Sequence, residues 1–301
     1  MSDWLADRFE ENRSHLRSVA YRMLGSIEDA DDAVQEAWLR LSQRENGGIE
    51  NLGGWLTTVV ARICVDMLRA RRSKREEPLQ PSIPDFIVSR EESPEAEALT
   101  ADSVGLALLV VLDSLTPSER LAFVLHDMFA MPFEEIAPIV GRSPAAARQL
   151  ASRARRRVQG ATPPATGLAQ RRAVVDAFIA AAREGDFAAL VAVLDPDVLL
   201  LADREPAAKG IRGATAVASQ AITFTTRLVQ NLEPVIVNGS PGIVSWLPNG
   251  QPLAILGFVV TTERIREIYI ISLPDRVHQA LSHLGGGFRH PGKPHPNRRS
   301  K

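Results

Sequence analysis

Apolar positions recur at helical spacing through the first half of the chain and shift toward short strand-like runs in the second. Phe9, Leu16, Val19, Ala20, Met23 and Leu24 give a first helix its apolar face; Gly25 ends it, and Ser26 is placed to cap the next. From Ile27 to about Leu41 the buried stripe is Ala30, Ala33, Val34, Ala37, Trp38 and Leu41. That leaves Asp29, Asp32, Glu36 and Arg40 on a charged outer face, with acids near the N-terminal end where the helix dipole favours them. A third helix, Trp55 to about Arg72, turns Trp55, Leu56, Val59, Val60, Ile63, Cys64, Met67 and Leu68 toward a core. Arg62, Arg69, Arg71 and Arg72 fall outside that stripe or at its basic C-terminal end.

Pro78, Pro81, Pro84 and Pro94 then break the helical pattern, and residues 77–99 are predicted to form an extended linker. An apolar helix follows over Val104 to Asp113. Thr116-Pro117-Ser118-Glu119 has the pattern of a capping box and starts a helix to about Phe129. His126 and Asp127 near its end have no accompanying nucleophile or further histidine, so they read as a surface pair rather than a catalytic one. Phe133–Val140 is helical, Gly141 sits in a turn, Ser143 is an N-cap, and Pro144 occupies the first position of the next helix. Ala147, Leu150, Ala151, Ala154 and Val158 make a small-residue stripe on it; Arg148, Ser152, Arg155 and Arg156 lie on the other side. Helix, Gly-containing turn and basic second helix make a helix-turn-helix pattern, whose second helix can enter a DNA major groove. The alternative is a plain helical hairpin with a solvated arginine face.

After a linker at 161–169 the pattern changes. Arg172 to Arg183 and Phe187 to Leu194 read as helices, Val198 to Ala202 as a strand, and 214–222 as a helix. Val229–Asn238, Gly242–Leu247, Leu253–Thr261 and Arg264–Ser272 read as strands, with Asn238-Gly239 and Asn249-Gly250 as hairpin turns. Helices followed by an antiparallel meander predict an α+β domain at 170–273. Residues 274–301 read as a partly disordered basic tail.

Composition adds limits. The 301 residues suggest two or three domains, and a 45% hydrophobic content suffices for sizeable cores. A net charge of −1 puts the weight of any nucleic-acid argument on local arginine clusters. One cysteine, Cys64, excludes an internal disulfide framework and fits a reducing compartment. With no membrane-spanning apolar run and no signal-like N-terminus, we expect a cytoplasmic protein without membrane attachment. No cofactor or metal is expected.

The Asp29–Arg40 stretch resembles the core-polymerase-binding helix (region 2.2) of sigma-70 family factors of the extracytoplasmic-function (ECF) type. Trp55–Arg69 is similar to their promoter-melting and −10-reading segment, and Leu115–Arg157 to their region 4, the −35-reading helix-turn-helix. The α+β region, with Gly-Asp-Phe before a short helix and a Leu-Asp-Pro-Asp-Val run, resembles the SnoaL-like (nuclear transport factor 2-like) cone fold that one ECF subgroup carries at its C-terminus. Of that subgroup's Asp-Gly-Gly-Gly-Lys loop this chain keeps Asp203 and Lys209, and its Asn-Pro-Asp-Lys-Leu motif appears as Leu273-Pro274-Asp275-Arg276-Val277.

The resemblance implies three parts: sigma region 2 at 1–76, region 4 at 100–160, and the cone domain. It implies a bacterial alternative sigma factor, with core RNA polymerase and promoter DNA as partners. Asp29, Asp32, Glu36 and Arg40 would meet the core. Trp55, Arg62, Arg69, Arg71 and Arg72 would serve the −10 region, and Arg148, Gln149, Ser152, Arg153, Arg155, Arg156 and Arg157 the −35 region. Spacing alone favours plain solvation for the acidic face, and leaves Trp55 equally a core aromatic or a base-stacking one. The cone domain would modulate the sigma part through Asp203, Lys209, Pro274 and Asp275, by binding a small ligand or packing on the linker. With no histidine between 170 and 273, and with Arg204 and Lys209 leaving Asp203 as a solvated loop carboxylate, it is not expected to be an enzyme. A ligand-sensing DNA-binding regulator that acts without polymerase is the alternative.

Overall fold

The computed structural model describes residues 2–43, 49, 51–74, 83–90, 105–161, 167–204, 207–228, 231–261 and 263–282. The tail beyond residue 282, most of the 77–99 linker and residues 162–166 lie outside this set. The chain divides into two compact units: Met1–Asp85 with Ala107–Thr162, and Phe86–Leu106 with Pro163–Lys301. Sigma-like regions 2 and 4, read from sequence as separate blocks, thus share one unit.

In the first unit, α1 (Ser2–Leu24), α2 (Ile27–Ser42) and α3 (Leu52–Lys74) pack on one another. Leu16, Val19, Ala20, Met23, Ala30, Ala33, Ala37, Leu56, Val60 and Cys64 are buried between them. Trp38, expected inside, is only half-buried and packs its ring 5.0 Å from that of Phe9. Ser26 caps α2 by accepting from the Asp29 backbone N–H at 3.4 Å. Asp85, from the Pro-rich stretch, also serves this helix start. Its carboxylate accepts from the Ile27 N–H at 2.9 Å, and its carbonyl accepts from the Tyr21 hydroxyl at 2.6 Å.

The second half of this unit holds α4 (Leu106–Ser114), α5 (Pro117–Phe123), α6 (Phe133–Val140) and α7 (Pro144–Ala161). The capping box forms as expected: Thr116 accepts from the Glu119 N–H, and Glu119 accepts from the Thr116 N–H at 3.1 Å. The helix begun there continues into a π-helical turn, Val124–Met128, closed by Ala130 in the left-handed region at φ 53°. The two halves meet through Arg120, only 4% exposed, which donates to the Met23 carbonyl at 2.8 Å and to Asp113 at 2.9 Å. Phe129, just past the π turn, lies under the Arg22 guanidinium at 4.7 Å and edge-on to His15 at 5.1 Å.

The second unit is α+β. The helices α8 (Leu168–Glu184), α9 (Phe187–Val193) and α10 (Ala214–Leu228) cover one face of a seven-stranded sheet. The strands are β1 (Val88–Ser89), β2 (Leu194–Ala202), β3 (Ile211–Arg212), β4 (Asn231–Val237), β5 (Ser240–Trp246), β6 (Pro252–Val260) and β7 (Ile265–Ile271), in the order β1-β4-β5-β6-β7-β2-β3. The β4–β7 meander is antiparallel as predicted, with Asn238-Gly239 as the two-residue turn of the first hairpin; β2 joins β7 in parallel. Val175, Phe178, Leu190, Val217, Ile243, Leu256, Phe258 and Ile268 form the core between helices and sheet.

Two features depart from expectation. Residues 274–281, read as the start of a tail, form α11 (Pro274–Leu281), which packs near β6 and buries Val277 and Ala280. The stretch 86–89, read as free linker, is held by the sheet. Val88 and Ser89 pair with Val237 and Ile236, and the Ile87 N–H donates to the Asn238 side chain at 2.7 Å.

Candidate nucleic-acid interface

Helix α7 begins where the sequence signals it. Gly141 takes φ 68°, Ser143 accepts from the Ala146 N–H at 3.2 Å, and Pro144 opens the helix. Ala147, Ala151, Ala154 and Val158 are buried against α5 and α6. Small side chains there let the helices approach closely and leave the arginine side outward. Arg148, Gln149, Arg153, Arg156 and Arg157 are exposed; Ser152 and Arg155 are half-buried.

Three of these arginines have carboxylate partners. Arg155 donates from Nε and Nη2 to one oxygen of Asp127, at 2.8 and 2.5 Å. Arg157 donates to Glu119 at 3.2 Å, and Arg148 lies 4.0 Å from Glu134. Of these residues expected at the −35 region, Arg157 is thereby tied to the start of α5 and Arg155 is anchored to the π turn.

On α3 the basic residues split in a similar way. Arg62, Arg69 and Arg72 are exposed, Arg69 lying 3.6 Å from Asp66 one turn back, while Arg71 pairs with Asp29 of α2. One residue assigned to the −10 region and one assigned to the core-docking face are therefore bound to each other. Trp55 is half-buried near the start of α3. On α2, Asp32 is exposed and Glu36 accepts from Arg40 at 2.9 Å. Leu39, which the apolar spacing left unmentioned, stands 45% exposed on this same helix.

In the C-terminal unit Asp203 is not a solvated loop carboxylate. Its side chain is 4% exposed and accepts from the Ser272 N–H, the Ser272 hydroxyl and the Leu273 N–H, all at 2.9–3.0 Å; Arg276 lies 4.0 Å away. It ties the end of β2 to the entry of α11. Pro274 and Asp275 are exposed in the first turn of that helix. Lys209 closes a 3-10 turn, Ala207–Lys209, and its side chain lies outside the described set. Among the described residues no cluster of His, Cys, Asp and Glu could hold a metal ion, and no helix is long and apolar enough to cross a membrane.

The family models for Sigma-70 region 2 and Sigma-70 region 4 match residues 8–74 and 105–158. The ECF RNA polymerase sigma factor SigJ of Mycobacterium tuberculosis is 36% identical over 280 residues, 89% of this chain and 89% of its own length. This chain belongs to the ECF RNA polymerase sigma factors. The probable ECF sigma factor SigI of the same species is 33% identical over 290 residues, covering 95% of this chain and 99% of that protein. The crystal structure of SigJ superposes with a TM-score of 0.72 at 35% identity, over 91% of this chain and 98% of that one. The likeness to this ECF factor therefore runs through the C-terminal unit as well as the two sigma regions.

Proposed function

We propose that this sigma factor joins core RNA polymerase through the outer face of α2, around Asp32, Leu39 and Arg40. The exposed arginines of α3 then engage the −10 region and α7 reads the −35 element. Its C-terminal unit, acting without catalysis, sets how far the two DNA-reading regions can part. One observation carries the last point: both ends of the Phe86–Leu106 segment are held at Gly257. A Cβ at that glycine would lie 2.7 Å from Leu106 Cδ2 and 3.3 Å from Phe86 Cζ. Gly257 pairs directly with Gly242 on the neighbouring strand, so the sheet has a trough there, which these side chains help to fill. A free linker of about twenty residues could span roughly 70 Å when extended. Closed onto one glycine, it spans a small part of that.

The test uses the full chain with purified core polymerase on templates drawn from a random library. Core-dependent transcripts from templates sharing two spaced elements support the reading. Duplex binding without core, and no transcript with it, would overturn it in favour of a regulator that acts alone. Phe86→Ala should widen the range of spacings accepted between the two elements. An unchanged spacing range would remove the C-terminal unit from that role.

A further inference from the structure

The His126-Asp127 pair, which the sigma-factor reading leaves unused, lies within the π turn between α5 and α6. Asp127 is 19% exposed, and one of its oxygens receives both the Nε and the Nη2 hydrogens of Arg155. Arg155 shares a face of α7 with Ser152 and Arg148, three and seven residues back. The neighbouring His126 stacks on Phe133, with ring centroids 3.9 Å apart at 13°, and the Arg148 guanidinium lies 5.2 Å over that same Phe133 ring. Two consecutive residues of the turn thus reach two arginines of α7, one by an ion pair and one through an aromatic ring. A π turn carries one more residue per hydrogen-bonded ring than an α-helix, which re-aims the side chains after it.

We propose that Asp127 is a positioning residue for DNA reading by Arg155. This rests on the reading of α7 as the −35 helix. An unrestrained arginine on a groove-facing helix is a mobile cation that meets any phosphate within reach. With its Nε–Nη2 edge held by Asp127, the guanidinium keeps one orientation and offers its remaining N–H groups, chiefly those of Nη1, in a fixed direction. A fixed donor pair suits a base edge, where geometry discriminates between bases. The carboxylate also places a negative charge beside the helix, which weakens indiscriminate attraction to the backbone. Asp127 therefore trades general affinity for base preference at the position Arg155 meets.

The test measures full-chain, core-dependent transcription on a −35 library, together with binding to non-promoter duplex. It uses Asp127→Ala, Asp127→Glu, Arg155→Ala and the Asp127/Arg155 double variant, each checked for an unchanged unfolding transition. Asp127→Ala is expected to flatten preference at one −35 position by about fivefold to a hundredfold, the range for a good bidentate base contact. It should also tighten non-promoter binding. Asp127→Glu should restore much of the preference. In the Arg155→Ala background, Asp127→Ala should change preference no further. Unchanged base preference in a folded Asp127→Ala overturns the proposal, as does an equal loss with Arg155 already removed. If Arg148→Ala, Gln149→Ala and Arg155→Ala all leave −35 preference intact while transcription persists, the reading of α7 has failed as well. Preference lost in those three but kept in Asp127→Ala means only the positioning role has failed.

Discussion

The two units are held together in different ways. In the C-terminal unit, the sheet and the helices over it bury a largely apolar interior, and the polar anchors, such as Asp203, sit where the chain leaves a strand. In the N-terminal unit, each sigma region has its own small helical core, and the regions meet where α3 packs on α5 and α6 and α1 on the π turn, with a few directional contacts beside that packing. Among them are the buried Arg120 on the Met23 carbonyl and Phe129 between Arg22 and His15. Apolar burial over a broad surface degrades gradually when one side chain is lost. A junction in which one buried guanidinium and one ring add to that packing concentrates part of its hold in a few breakable contacts. If the two sigma regions meet separate promoter elements as proposed, such a junction leaves them room to part.

The comparison breaks most sharply at Phe86. It is fully buried in the C-terminal unit although it comes from the linker. Phe86→Ala should cost about 3–5 kcal/mol of that unit's stability, as for other buried phenylalanines. It should leave the N-terminal unit's transition in place, so chemical denaturation ought to separate two steps. A single step shifted as a whole would show that the units unfold together.

Arg120→Met comes next. It strands the Met23 carbonyl and the Asp113 carboxylate, and should cost about 3 kcal/mol, at the low end for a broken buried pair because Asp113 is one-third exposed to water. The loss should appear in the N-terminal transition. In the folded fraction, a label pair on α3 and α7 should move apart. Stability lost with no change in label distance would mean that Arg120 braces region 4 alone rather than the junction.

Asp203→Ala is the smaller counterpart in the C-terminal unit. It removes the acceptor of two backbone N–H groups and one hydroxyl, for about 1–3 kcal/mol. Hydrogen exchange should speed up at Ser272, Leu273 and the first turn of α11 while the β4–β5 hairpin stays protected. Uniform loss of protection would contradict a local tie.

These sites also show where the sequence is transparent. Every helix of the first unit follows from apolar spacing, and Ser26, Thr116-Glu119, Ser143 and Asn238-Gly239 mark ends and turns through interactions only a few residues long. What spacing does not reveal depends on distant partners. Phe86-Ile87-Val88 sits in a Pro-rich stretch that reads as linker, and its partner Asn238 is 151 residues away. Asp203 looks solvated until Ser272 arrives from the far end of the domain. The π turn hides because one extra residue in a helical ring barely alters the apolar pattern. At α7 the basic face was legible, but the acids that claim Arg155 and Arg157 come from other elements. Those acids decide which arginines stand alone.

The smallest effect concerns pH at the junction. Burial, and then the charge of Arg22, hold the His15 imidazole below its ordinary value near 6.5. The folded N-terminal unit therefore prefers neutral His15 more strongly than the unfolded chain does. The sign follows from linkage: the unfolded state takes up the proton first as pH falls. The stability tied to neutral His15 is whole above about 6.5 and is lost as pH drops through the lower folded value. His15 also faces Phe129 and lies 3.3 Å from the Thr57 hydroxyl, so protonation acts on the contact that joins the regions. Denaturation midpoints of the N-terminal transition at pH 7.5 and 5.5 should differ more in the parent chain than in His15→Gln. Equal differences would show that His15 carries none of the junction's acid sensitivity.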